Sequence, residues 1–142
     1  IRAKARIVAA DVEDRTGLRA LLNLGHSFGH AIESEAGIGQ ILHGEAVALG
    51  IILCFSYSTE LGHCPAADTD RVRAHFAAIG LPTCLAEIGL QARGTALLDW
   101  MSRDKKNVDG GLTLVLARGI GKAYLDHAGD ARRLAAFLDR AG

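Results

Sequence analysis

A mainly α fold, a multihelical bundle carrying one small antiparallel β-hairpin, is what this sequence predicts. Three observations lead there. The composition is 49% hydrophobic but only 5% aromatic, which suits packed helices better than a sandwich of many short strands. Apolar residues recur at helical spacing through most of the chain, with glycines and prolines as the punctuation. The strand-like runs, at 112–116 and 123–125, bracket one hairpin turn, Arg118-Gly119-Ile120-Gly121. At 142 residues the chain is long enough for a single domain, 1–142, with a real core.

The elements follow in order. Residues 1–10 read as the end of a helix through Ile1, Ala5 and Val8, and the first residue is Ile rather than Met, as expected of a piece of a longer protein. Residues 11–16 form a charged connection, and Gly17 leads into a helix over 19–33 that stops near Gly37 and Gly39, where glycine supplies the backbone freedom of a helix end. Leu42-His43-Gly44-Glu45 opens a second long helix, apolar on most sides and therefore buried, which breaks between Gly62 and Pro65. Asp68 or Thr69 caps the next, with Val72, Phe76 and Ile79 as its apolar face and Gly80-Leu81-Pro82 as its stop. A further helix runs from about 94 to 102, Asp104-Lys105-Lys106-Asn107 makes a charged turn, and a closing helix after the hairpin spans 129–141 with Leu134, Phe137 and Leu138 inward.

Charge excludes several classes of function. The chain carries 16 basic and 16 acidic residues, so there is no electrostatic footprint for nucleic acid or an anionic membrane surface. The apolar run at 46–55 is too short to span a bilayer, and no signal-peptide pattern opens the sequence. Three cysteines, Cys54, Cys64 and Cys84, without CxxC spacing, read as free thiols of a reducing cytoplasm.

The chemistry concentrates in RALLNLGHSFGHAIE. Arg19, Asn23, His26, His30 and Glu33 are spaced by four, three, four and three residues. On a continuous helix they fall within an arc of roughly 80°. Such a polar stripe between apolar flanks fits a wet pocket, and its residue types suit a metal ion and an anionic substrate. His26 and His30 are four apart, as in the zincin pattern, but Ser27 stands where that pattern needs its glutamate base, so a metalloprotease is ruled out. His43 supplies a third imidazole at the start of the buried helix, where the helix dipole favours the neutral, metal-binding form.

Taken singly each histidine reads as a packed or capping residue; together with Arg19 and Asn23 they read as a site. A catalytic zinc usually takes three protein ligands plus water, so a carboxylate must join from Glu33, Glu45 or chain lying outside this sequence. Arg19, Lys105 and Lys106 are the candidate anion binders, the first as a planar fork and the lysines as point charges. His63, His75 and His127 read as surface residues. Gly37-Ile38-Gly39 makes no dinucleotide fingerprint, so no residue here is assigned to a nucleotide cofactor.

The segment Leu22-Asn23-Leu24-Gly25-His26-Ser27-Phe28-Gly29-His30-Ala31-Ile32-Glu33, followed by Leu42-His43-Gly44-Glu45-Ala46-Val47-Ala48-Leu49-Gly50, resembles the signature of 3-dehydroquinate synthases. Arg103-Asp104-Lys105-Lys106, Leu112-Thr113-Leu114-Val115-Leu116 and Ile120-Gly121 resemble the same family further along. The resemblance runs essentially end to end but covers only the helical C-terminal domain. It implies that an N-terminal α/β domain, which holds NAD, is absent from this chain.

It also implies the second step of the shikimate pathway, in which 3-deoxy-D-arabino-heptulosonate 7-phosphate becomes 3-dehydroquinate and phosphate, with a divalent metal, zinc or cobalt, in a Lewis-acid role. By motif position His26 and His43 become metal ligands, with a glutamate of the missing domain as the third. His30 handles protons and contacts substrate, and Lys4, Arg19, Asn23 and Lys105 (in preference to Lys106) bind substrate. A cytoplasmic homodimer is implied, and the chain alone is expected to turn over nothing.

Two positions depart from the family. Arg15 stands where a glutamate is usual, in a connection that is one residue longer, so that Glu13 or Asp14 would serve after a shift; Ser27 replaces a threonine. Arg15 leaves room for a related sugar-phosphate cyclase, an amino-dehydroquinate or inosose synthase. A polyol dehydrogenase fits poorly, because a polyol has no phosphate for Arg19 and the lysines. A non-catalytic fragment or degenerate paralogue is the alternative of a different class.

Overall fold

The computed structural model describes residues 2–10, 18–104 and 112–142. Arg15, Lys105 and Lys106, and with them the expected connection and the rest of the charged turn after Asp104, lie outside the described residues, and Asp104 itself is the last residue of the helix that begins at Gly94. Along the chain come α1 (Arg2–Ala10), a 3-10 helix (Leu18–Asn23), α2 (His26–Ala36), α3 (His43–Glu60) and α4 (Ala66–Ala78). A short 3-10 helix (Leu85–Ile88), α5 (Gly94–Asp104), the strands β1 (Leu112–Ala117) and β2 (Ala123–Gly129), and α6 (Ala131–Arg140) complete it. The expected helical bundle with one antiparallel hairpin is what these residues form. None of the helices described is long and apolar enough to cross a membrane.

The middle of the bundle is α3, packed against α2, α4 and β1. Its apolar residues point in most directions, as expected, and Leu49, Leu53 and Tyr57 are buried with Phe28 and Ile32 of α2, Leu97 and Met101 of α5, Leu114 and Leu116 of β1, and Leu134 and Leu138 of α6. Each such side chain contributes about 1.5–3 kcal/mol by leaving water. Ser58 is a fully buried polar residue against this core. Its hydroxyl donates to the Cys54 carbonyl (2.6 Å) and accepts from the Ala117 N–H (3.1 Å), so the polar atom is satisfied and ties α3 to β1.

The hairpin pairs Leu116 with Tyr124 and Leu114 with Asp126, with a one-residue irregularity before Leu112 meets Gly129. Strand β2 therefore runs past the expected 123–125. The closing helix begins at Asp130, whose carboxylate accepts from the Arg132 and Arg133 N–H groups (2.9 and 3.1 Å), a cap worth about 1 kcal/mol.

Three expectations are corrected. The continuous helix over 19–33 is broken: a 3-10 helix ends at Asn23, Gly25 takes a left-handed conformation (φ 84°), and α2 starts at His26. The cause is a backbone crossing. A Cβ on Gly25 would lie 2.6–2.8 Å from Ile51 and Val47, and one on Gly50 would lie 2.2 Å from the Gly25 carbonyl oxygen, so the two chains touch without side chains between them. The α4 helix starts at Ala66 with Pro65 as its cap residue, not at Asp68 or Thr69. Asp68 instead accepts the Ile120 N–H (3.1 Å) at the hairpin tip, and the Thr69 hydroxyl bonds Thr59 (2.8 Å). Finally, Ile79 is 59% exposed and does not belong to the inward face of α4.

Candidate metal and substrate site

The break at Gly25 shapes the site. It releases Arg19 and Asn23 from the axis of α2 onto the preceding 3-10 helix, while His26 stands at the first position of α2 and His30 one turn further on. His43 opens α3, and the α2–α3 crossing brings it opposite both. The three imidazoles form a nearly equilateral triangle, with ring centres 5.8 Å (His26–His30), 5.8 Å (His26–His43) and 6.0 Å (His30–His43) apart. Two imidazoles bound to one tetrahedral ion through ~2.0–2.1 Å bonds hold their ring centres about 5 Å apart, so a small contraction of this triangle would admit a divalent ion.

The two candidate carboxylates separate cleanly. Glu45 folds back onto the start of its own helix and accepts the Leu42 N–H (3.0 Å), a capping role. Glu33 reaches across to α3, where its carboxylate lies 3.0 Å from His43 Nδ1. His26 has a comparable partner on the same ring atom, its Nδ1 lying 3.4 Å from the Leu24 carbonyl oxygen. Donor atoms of His30, Glu33 and His43 all fall within 4.8 Å of one another, so this trio also has the spacing of a metal-binding group.

Beside His26 opens a cavity of 470 Å³ lined by Lys4, Arg19, Ala20, Leu22, Asn23 and His26. Three of the expected substrate binders and one expected metal ligand thus share a single wall, although they come from α1, the 3-10 helix and α2. A neighbouring cleft of 340 Å³ has His30, Ser27 and Ser34 on one side and Trp100 and Arg103 of α5 on the other. The Arg103 guanidinium lies 4.9 Å above the Trp100 ring, and the indole N–H donates to Glu35 (3.0 Å), which also pairs with Arg93. Sequence reading assigns no role to Trp100 or Arg103; their spacing of three on one helix face is the signal that could have found them. Lys105, the remaining expected binder, lies outside the described residues. His63, His75 and His127 are exposed, as expected, and the three cysteines are free, with burial pushing the Cys64 thiol up from its ordinary value.

A helical domain of this topology is the fold shared with sugar-phosphate cyclases of known structure. A structure of 2-deoxy-scyllo-inosose synthase complexed with carbaglucose-6-phosphate, NAD+ and Co2+ superposes with a TM-score of 0.73 at 24% identity, over 99% of this chain and 39% of that one. The 2-epi-5-epi-valiolone synthase of Streptomyces hygroscopicus subsp. jinggangensis, with NAD+ and Zn2+ bound, follows at a TM-score of 0.66 and 25% identity, over 94% of this chain and 35% of that one. Sequence narrows the class. The family model for the 3-dehydroquinate synthase C-terminal domain matches residues 1–107. The 3-dehydroquinate synthase of Rhodospirillum rubrum is 51% identical over 140 residues, covering 96% of this chain and 36% of the relative, and that of Caulobacter vibrioides is 49% identical over 144 residues, covering 100% and 39%. The chain belongs to the 3-dehydroquinate synthase family and corresponds to its C-terminal domain. It spans less than two-fifths of the length of these relatives.

Proposed function

We propose that this chain is the metal- and substrate-binding part of an enzyme that converts 3-deoxy-D-arabino-heptulosonate 7-phosphate into 3-dehydroquinate and phosphate, with NAD held by a preceding domain and the enzyme working as a cytoplasmic homodimer. The observation that carries the reading is the shared wall of Lys4, Arg19, Asn23 and His26 beside the histidine triangle. That wall sets cationic and amide donors for a phosphorylated acid next to imidazoles for a metal. The family's relatives carry that activity in their names.

In this reading His26 and His43 hold a zinc or cobalt ion through Nε2, because the Nδ1 of each faces an oxygen acceptor. Bound there, the ion would polarise substrate oxygens, and NAD would supply transient oxidation and return of a hydride. The chain's own residues do the rest. Lys4 and Arg19 neutralise the anionic groups of the substrate, and Asn23 fixes its orientation through an amide that both donates and accepts. His30, at the mouth of the second cleft, takes or returns a proton as phosphate leaves. Lys105 adds a further positive charge toward the phosphate.

The reading is tested by assaying the full-length protein, loaded with Co2+ and NAD, for 3-dehydroquinate against the corresponding product of an inosose or amino-dehydroquinate synthase. The dehydroquinate product alone is expected; formation of one of the others would transfer the assignment to that relative. His30→Ala is expected to keep the metal, measured by elemental analysis, while turnover falls about 10²–10⁴-fold, the range of a lost proton-transfer group. Loss of the metal in that variant would mean that His30 is a ligand. Residues 1–142 by themselves are expected to form no dehydroquinate; turnover by the purified piece would place the whole active site within it.

A further inference from the structure

We propose that Glu33 is a positioning residue for the metal centre: it holds His43 in the tautomer and orientation that point Nε2 at the ion, and it does not itself ligate. This rests on the metal reading above. An ionised carboxylate offers only acceptors, so the 3.0 Å contact between Glu33 Oε2 and His43 Nδ1 requires the ring proton to sit on Nδ1. In the neutral ring, the form that binds a metal, the lone pair is then on Nε2. His26 receives the same treatment from the Leu24 carbonyl, 3.4 Å from its Nδ1, so both proposed ligands share one tautomer by different means.

Geometry also argues against Glu33 as the third ligand. The Nδ1 and Nε2 lone-pair directions of an imidazole diverge, so a carboxylate seated on Nδ1 lies on the far side of the ring from an ion on Nε2. Glu33 can belong to the trio with His30 and His43 only if the ion sits on His43 Nδ1, in place of the ring proton that this atom shares with Glu33. The other nearby carboxylate, Glu45, is occupied by the Leu42 N–H, so Glu33 alone among these two reaches the ring. Position explains its reach: Glu33 follows His30 by three residues on α2 and faces the first residue of α3. His43 is more than half exposed at the first position of α3. A metal ligand in that situation depends on an outer hydrogen bond for its orientation.

The test uses the full-length protein, metal-free, titrated with Co2+, comparing the wild type with Glu33→Gln and Glu33→Ala. Glu33→Gln keeps the shape and guards against a folding defect, which equal thermal midpoints would exclude. Expected are a 10–100-fold weaker Co2+ affinity for Glu33→Ala, a smaller loss for Glu33→Gln, and an unchanged Co2+ visible spectrum once saturated. Nitrogen-15 NMR of the metal-free protein should show the Nδ1–H form of His43 losing its dominance in Glu33→Ala, an effect that a merely structural contact would not produce. A saturated spectrum that changes coordination number would make Glu33 a ligand and overturn the proposal. Affinity within twofold of wild type would overturn it as well. His26→Ala and His43→Ala serve as controls: if these too keep wild-type affinity, it is the metal reading that fails, whereas loss in the controls with no loss at Glu33 removes this inference alone.

Discussion

His43→Ala in the full-length protein is expected to abolish metal binding and lower turnover at least 10³-fold, about 4 kcal/mol of transition-state stabilisation. The expectation follows from position. His43 is the imidazole that α3 brings to the triangle, and the other two corners both stand on α2. Removing it leaves two histidines of one helix, with centres 5.8 Å apart, and no ligand from the opposing element. Catalytic zinc sites ordinarily keep three protein ligands, so a site reduced by one should lose its ion on dialysis. Elemental analysis after dialysis reads the result directly, and NAD binding should be retained. A full complement of metal in the variant would show that His43 does not ligate.

Gly50→Ala should be strongly destabilising, because among the described glycines its added methyl would make the closest approach to another atom. Its Cβ would stand 2.2 Å from the Gly25 carbonyl oxygen and 3.0 Å from the Gly29 nitrogen, both backbone atoms that no rotamer change can move aside. Overpacking of this kind costs about 3 kcal/mol, and the helices must part to accommodate it. Gly44→Ala is the natural control, since nothing lies within 4 Å of the added atom and a helical alanine is favoured over glycine by about 0.5–1 kcal/mol. Urea denaturation of the two variants should move in opposite directions. Equal midpoints would mean that α2 and α3 can separate at no cost.

The sequence exposes those parts of the fold that depend on local pattern. The long apolar helix after Leu42, the closing helix with Leu134, Phe137 and Leu138 inward, and the hairpin around Arg118-Gly119-Ile120-Gly121 all carry their period and punctuation in the residues themselves. What stays hidden is decided by distant partners. Gly25 sits within a good helical pattern, yet it is left-handed where its backbone meets α3 at Val47, Gly50 and Ile51. Asp68 has the chemistry of a helix cap, but a backbone N–H from the hairpin, 52 positions away, claims its carboxylate.

For the candidate site the same division holds. Residue types and spacing single out Arg19, Asn23, His26, His30 and His43, because those side chains are costly to leave among apolar neighbours without a task. The two carboxylates, Glu33 and Glu45, are equivalent on paper; the fold gives one to a backbone N–H and the other to an imidazole. Trp100 escapes notice, and Arg103 enters only as part of a family motif with no role of its own, because their helix is remote in sequence from the histidines and only packing of α5 on α2 brings them to the cleft of His30.

The contact of Gly25 with Gly50 has one further consequence. Two imidazoles on one helix and a third on another are held at their separation by main chain resting on main chain. At that point the approach of the two helices is limited by backbone, with no side chain of either glycine in between. Exchange of a leucine for an isoleucine elsewhere in the interior is thus expected to change how firmly the protein folds more than it changes the spacing of the histidines. The glycine pair works as a gauge block: it separates inheritance of the site from drift of the interior around it.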